Sequence, residues 1–216
     1  ACAQPCRWEY ALVEKKRPDE YIPIEEDSRG TYLLSAYDLC MLHHLPEMIH
    51  AGIESLKIEG RMKTEYYVAN TVSVYRKALD LLCQSEEAYR TALPELEAQL
   101  LKASHRMMNT GFFFGVPSPA AGANGFSQNM EYVGRVECFT DGMATVHLKN
   151  RFYVGDTLEL LCPKGNLPFT VEKIILHETG ESVDTVSIAG QKVCIPLPFP
   201  AEEGDFLRGP NRNHTK

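Results

Sequence analysis

No run in the 216-residue sequence approaches the roughly 20 consecutive apolar residues of a membrane span. Positive charge is also in deficit: 22 Lys+Arg face 29 Asp+Glu, a formal net charge of −7. The deficit is spread along the chain, with 13 basic against 17 acidic residues up to Met130 and 9 against 12 after it. A general nucleic-acid coat needs a basic surface to displace counterions, so that class is disfavoured, although a local basic patch is not. Common catalytic signatures are missing. There is no G-x-S-x-G elbow, no G-x-x-x-x-G-K phosphate loop and no H-E-x-x-H zinc helix. Cysteine is too sparse for a disulfide scaffold: seven residues, an odd number, at positions 2, 6, 40, 83, 138, 162 and 194. This usage indicates a reducing, cytoplasmic setting. Cys83, Cys138, Cys162 and Cys194 are expected to be small buried hydrophobes.

The sequence that is present changes character along its length. Residues up to about 31 are polar and punctuated, and "EKKRPDEYIPIEEDSRGTY" reads as an excursion or hairpin rather than a packed helix. In "DLCMLHHLPEMIHAG", Asp38 is a candidate N-cap, and the apolar positions recur at helical spacing. Pro46 implies a kink, and Gly52 an end. "IESLKIEGR" reads as a strand. "TEYYVANTVSVYRKALDLLC" reads as a long helix capped by Thr64, with a stripe of Val68, Thr71, Val72, Tyr75, Leu79 and Leu82. A shorter helix is expected at "PELEAQLLKAS".

From Tyr132 the pattern becomes one of short β-type runs separated by "TDG", "VGD", "PKGN" and "ETGE", the signature of a small antiparallel barrel or sandwich. The predicted organisation is therefore residues 1–115 as part of an α/β domain, 116–130 as linker, 131–210 as a β-barrel and 211–216 as tail. A single parallel strand cannot satisfy its own hydrogen bonds. A complete (β/α) barrel takes about 250 residues. The first part is accordingly expected to be the C-terminal end of a larger TIM-like domain.

Parallel α/β domains carry their reactive groups at the C-terminal ends of strands. "KIEGRMK" is expected there. Glu59 can act as base or ligand, and Arg61 can clamp an anion bidentately; the same residues also suit an ordinary surface turn. Cys2, Cys6 and Cys40 are thiolates that could hold iron–sulfur or zinc. His43, His44 and His50 suggest zinc less well, because Pro46 breaks their spacing. The run Phe112–Phe114 in "SHRMMNTGFFFG" could stack on bases, but such runs more often pack in a core or between domains.

Taken together, "ACAQPCRWEY", "SLKIEGRMK…YYVA…VYRKALD", "SHRMMNTGFFFG" and "NRFYVGDTLELLCPKGNLPFTVEKI" resemble the peptidase family U-32 proteins, collagenase-like by name. The resemblance is strongest to their bacterial tRNA-hydroxylating branch. At Met107 and Met108 the chain departs from that family's "HR-x-Y-T-x-GF" pattern. The resemblance implies a (β/α) barrel followed by a β-barrel, and a 4Fe-4S cluster on four cysteines. Cys2 and Cys40 match best, with Cys6 as rival, so the ligand set in this chain is incomplete. It further implies hydroxylation of the tRNA wobble uridine to 5-hydroxyuridine, with prephenate as possible co-substrate, and a possible partner protein of the same family. Glu59 and Arg61 would line the barrel mouth, an inference from their position. The alternatives are a collagenase-like peptidase and a non-enzymatic β-barrel module.

Overall fold

The computed structural model describes residues 10–27, 30–32, 37–115 and 126–212. Packing divides the chain into two compact units, Ala1–His43 with His105–Ser127, and His44–Ser104 with Gln128–Lys216.

The first unit begins with two antiparallel hairpins, as the punctuated sequence suggested. Strands β1 (Ala11–Glu14) and β2 (Arg17–Pro23) pair in one. Strands β3 (Glu25–Asp27) and β4 (Gly30–Tyr32) pair in the other. Strand β5 (Asp38–Leu39) then pairs in parallel with β6 (Met108–Asn109). Asp38 is thus a strand residue and not a helix N-cap. Its carboxylate accepts the Arg106 backbone N–H at 3.0 Å, so it is spent on joining two distant segments.

The second unit opens with helix α1 (Leu45–His50), which follows a single 3-10 turn at Leu42–His44. Pro46 lies in the first helical turn, where its missing N–H costs nothing, so it starts this helix. The helix closes as the glycine implied. Gly52 takes φ +81°, its N–H reaches the Ile49 carbonyl, and the Ile53 N–H reaches that of Met48. Residues 53–60 form no strand, contrary to expectation. Leu56 and Ile58 alternate inward as a strand would, but no neighbouring strand pairs with them among the described residues.

Helix α2 (Glu65–Gln84) is capped by Thr64, whose hydroxyl accepts the Tyr67 N–H at 3.2 Å. Helix α3 (Glu86–Leu100) follows after one residue, Ser85, which ends α2 and caps α3 by accepting the Ala88 N–H. It starts eight residues before Pro94, earlier than expected. The buried face of α2 is Tyr66, Asn70, Thr71, Val74 and Ala78. Val68 and Val72, placed on the core stripe by the sequence, are 39% and 45% exposed. No helix among the described residues is long and apolar enough to cross a membrane.

The remaining strands are β7 (Met130–Thr140), β8 (Met143–Leu148), β9 (Phe152–Tyr153), β10 (Thr157–Cys162), β11 (Gly165–Thr170), β12 (Ile174–Leu176), β13 (Ser182–Val183), β14 (Thr185–Val186), β15 (Lys192–Pro196) and β16 (Phe206–Pro210). Eight of them form one antiparallel sheet in the order β11-β10-β16-β7-β8-β15-β12-β13, and β9 pairs with β14 separately. Asp141 and Gly142 join β7 to β8 with φ of 50° and 80°, the left-handed pair that a tight two-residue hairpin requires. Three residues carry the chain from β11, at one end of the sheet, to β12, near the other. Both ends line the same core: Phe169 of β11, Leu158 and Leu160 of β10, Val146 of β8 and Ile174 of β12 are all buried in it. The sheet therefore curls into a barrel-like domain, as the turn-rich sequence implied. The four cysteines expected to be buried are not: Cys83 and Cys138 are exposed, and Cys162 and Cys194 half-buried. Cys162 is half-buried against the barrel core, and Cys194 lies between the buried Val193 and Ile195.

Candidate functional site

Cys40 directly follows β5, and its N–H donates to the Asn109 carbonyl at 2.9 Å. It therefore sits at the C-terminal edge of the only parallel strand pair among the described residues. At the same edge β6 runs into the turn Thr110–Gly115. That turn is built by the Asn109 side chain, which accepts the Gly111 N–H at 2.9 Å, and by Gly111 itself at φ +58°. A Cβ on Gly111 would lie 3.3 Å from Leu39 Cδ1, so turn and strand are in close contact. The turn presents Phe112, Phe113 and Phe114 to solvent at 74%, 60% and 62% exposure. Within the described residues the run is therefore not part of a core. The segment is closed by a two-way backbone bridge between His105 and Ser127 at 2.9 and 2.8 Å. One residue inside the bridge on each side, the Arg106 guanidinium lies over the Phe126 ring, 5.1 Å from its centroid.

Glu59 and Arg61 belong to the second unit, in an exposed turn and not at the end of a strand. The Glu59 carboxylate accepts the Arg61 backbone N–H at 3.0 Å, and Lys63 N–H closes onto the Gly60 carbonyl. The Lys63 ammonium donates to the Ser104 carbonyl at 3.0 Å and lies 4.9 Å from the Tyr67 ring centroid. Gly60 is needed for close approach: a Cβ there would come within 2.7 Å of Val68 Cγ2.

Cys2 and Cys6 lie outside the described residues. His44 is spent on Glu47, with Nδ1 3.4 Å from the carboxylate, while His43 and His50 are exposed. Among the described residues no three metal-ligating side chains converge. A four-iron cluster takes four thiolates. Thiolate chemistry suits iron, but Cys2, Cys6 and Cys40 together leave such a cluster one ligand short.

The sequence did not disclose an extended polar constellation among the described residues. Arg208 of β16 is fully buried. Its Nε donates to Glu159 at 2.9 Å, Nη1 to Asn70 Oδ1 at 2.7 Å and Nη2 to Gln99 Oε1 at 2.6 Å. Lys102 completes it with bonds of 3.0 and 2.9 Å to the two Glu159 oxygens. Burial pushes the Glu159 carboxyl up, but Lys102 and Arg208 outweigh burial and hold its pKa below the ordinary value. A register shift between Leu207 and Arg208 re-aims the arginine. The available signals were an arginine inside the apolar run "DFLRGP" and an asparagine between apolar turns of α2. The constellation ties α2 and α3 to the barrel and is structural in its geometry. A second missed feature lies on the barrel exterior, where Cys194 Sγ is 3.5 Å from His177 Nδ1 and 3.6 Å from Thr145 Oγ1.

Residues 1–122 match the model of peptidase family U32, and residues 128–208 match that of the peptidase family U32 C-terminal domain. The tRNA hydroxylation protein P of Escherichia coli (strain K12) is 34% identical over 200 residues, covering 88% of this chain and 42% of that protein. A collagenase of Porphyromonas gingivalis is 26% identical over 215 residues, covering 96% of this chain and 50% of that protein. The chain thus spans half or less of the length of these relatives. The crystal structure of the C-terminal domain of a Geobacillus thermoleovorans protein of the family is 28% identical and covers 38% of this chain and 93% of that one, with a TM-score of 0.36.

Proposed function

Because the chain belongs to peptidase family U32, we propose that it is the C-terminal portion of an enzyme that hydroxylates tRNA. The observation that carries this reading is the 34% identity to tRNA hydroxylation protein P, sustained over 88% of the chain and across both family segments. The geometry agrees in kind. Cys40 and the turn that carries the exposed Phe112, Phe113 and Phe114 follow the C-terminal ends of a parallel strand pair, where α/β domains hold substrate.

The finer reading is that the product is 5-hydroxyuridine at the wobble position, with prephenate as co-substrate. Cys40, with Cys2 or Cys6, would contribute thiolates to a 4Fe-4S cluster completed by cysteines outside this chain, which would supply redox chemistry. Arg61 is exposed and can pair with a carboxylate or phosphate, while Glu59 orders its backbone. A second protein of the family is a candidate partner.

The test is mass spectrometry of tRNA nucleosides from cells lacking their own hydroxylation genes and complemented with the intact protein that contains this chain. Restored 5-hydroxyuridine-type nucleosides are expected, with loss of iron and of product in Cys40→Ala. A soluble, iron-loaded protein that restores nothing would overturn the reading.

One structural observation favours the peptidase alternative, namely the Cys194–His177 thiol–imidazole contact. It would require gelatin cleavage by the purified protein that disappears in Cys194→Ala.

A further inference from the structure

One pair of side chains on the barrel has the chemistry of a nucleophile and its base. Val193 and Ile195 of β15 are buried in the barrel core, so the alternation of the strand turns Cys194 to the outer face, where it is half-buried. Register places Cys194 opposite Thr145 of β8 on one side and Ile175 of β12 on the other. His177 follows β12, and its backbone N–H donates to the Lys192 carbonyl at 3.1 Å, which fixes it beside the residue two before Cys194. Its Nδ1 lies 3.5 Å from Cys194 Sγ, and Thr145 Oγ1 lies 3.6 Å from the same sulfur. The further titratable neighbours on this face are His147 and Lys192, paired in register across β8 and β15. Glu137 of β7 is held by the Lys192 ammonium at 2.7 Å. A half-exposed thiol among imidazoles and an ammonium is the setting in which cysteines act as nucleophiles.

Three reaction partners compete for such a thiol. A metal ion takes three or four protein ligands, and among the described residues no three metal-ligating side chains converge. A peptide bond needs oxyanion donors beside the nucleophile, but β15 is paired with β8 on one side and β12 on the other, which engages its backbone N–H groups in the sheet. A disulfide needs no oxyanion donor, because attack at sulfur displaces a thiolate directly. The other cysteine in this row, Cys138, is also opposite Thr145 and so stands two strand spacings from Cys194. That is roughly 9–10 Å, beyond the Cα separation of about 7 Å that a disulfide allows. The second sulfur therefore comes from a small molecule. We propose that Cys194 is a modification site that exchanges with a low-molecular-weight disulfide and is capped as a mixed disulfide, with His177 as the base. The imidazole takes the thiol proton at Nδ1. Cys194 Sγ bonds to one sulfur of the small disulfide as the S–S bond breaks, and the departing thiolate leaves with that proton. One disulfide is consumed and one is formed, so no further oxidant is required, and the reverse reaction with a small thiol removes the cap.

The test uses the intact protein that contains this chain, incubated with glutathione disulfide, quenched in acid and read cysteine by cysteine by peptide mass spectrometry. Exposure alone ranks Cys83 and Cys138, both exposed, ahead of the half-buried Cys194. The proposal predicts the reverse order, with Cys194 capped about tenfold faster than either and uncapped by excess reduced glutathione. His177→Gln should slow capping of Cys194 by about tenfold or more and leave Cys83 and Cys138 unchanged. His177 is exposed, so an unchanged thermal melt will show that the variant folds. The ranking of the three cysteines in the wild-type protein needs no variant at all. Capping of Cys83 or Cys138 ahead of Cys194 overturns the proposal. A His177→Gln rate equal to wild type does so too, as does a Cys194 left uncapped in the intact protein. A gelatin-derived thioester at Cys194 also overturns it and gives the thiol to the peptidase reading. The measurement follows one thiol and not an activity, so its outcome is independent of the tRNA reading.

Discussion

A guanidinium without accessible surface is costly unless every donor is engaged, because desolvating a charge takes several kcal/mol. Arg208 engages each of its three nitrogens, with Glu159, Asn70 and Gln99. Arg208→Met would leave the Glu159 charge and two amide oxygens short of donors, and a loss of about 3–5 kcal/mol in urea unfolding is expected. Arg208→Lys should recover little, since one ammonium cannot serve three acceptors arranged for a planar fork. Glu159 adds a pH signature. Its folded pKa lies below its unfolded one, so its contribution is complete above the ordinary value of 4.5 and is lost as pH falls through the lowered value. The stability difference between wild type and Glu159→Gln should therefore be largest near neutrality and shrink below about pH 4.5. A difference that stays flat with pH would show that Glu159 does not titrate against Lys102 and Arg208.

Among the elements, what the sequence made legible was what local chemistry decides. Thr64 as a cap, Gly52 as a stop and Asp141–Gly142 as a hairpin each follow from one residue's backbone or hydroxyl. What it hid were decisions made by distant partners. The buried face of α2 contains Asn70, which is acceptable inside only because Arg208 lies 138 residues further on. A stripe chosen by hydrophobicity thus turned to Val68 and Val72. Residues 53–60 keep the alternation of a strand but find no partner among the described residues, so alternation alone did not produce one. The Gly60 turn offers an element-level test. Val68 is β-branched and held to one rotamer in its helix, so it cannot swing away from an added Cβ at 2.7 Å. Gly60→Ala should cost about 1–3 kcal/mol by overpacking. In a Val68→Ala background that cost should vanish or reverse, because alanine also restricts the unfolded chain. Equal costs in both backgrounds, measured as a double-mutant cycle of thermal melts, would rule out the contact as the reason for the glycine.

For the whole molecule, the sequence places a boundary between a helical α/β part and a β-barrel, and the two family matches fall either side of residues 123–127. Packing nevertheless puts α2 and α3 in one unit with the barrel. The reason lies in what the barrel exposes on that side. Its own core is self-contained, drawn from Val133 through Leu207. Tyr132, Leu161 and Phe206, however, pack on Tyr66 and Ala103 of the helical segment, with the Tyr66 and Tyr132 rings stacked at 5.4 Å. Beside that apolar seam the helices provide Asn70, Gln99 and Lys102 to Arg208 and Glu159. A fragment of residues 128–212 should accordingly fold, with strong amide protection in the central strands of its sheet. It should melt well below the fragment 44–212 in which residues 105–127 are replaced by a short linker. The Arg208→Met change should cost the shorter fragment much less than the longer one, because two of the three acceptors are already gone. If the two fragments melt together, the seam contributes nothing and the barrel is energetically independent. If the longer one melts higher and is the more sensitive to Arg208→Met, the helical hairpin and the barrel are one folding unit, despite the boundary that the sequence draws between them.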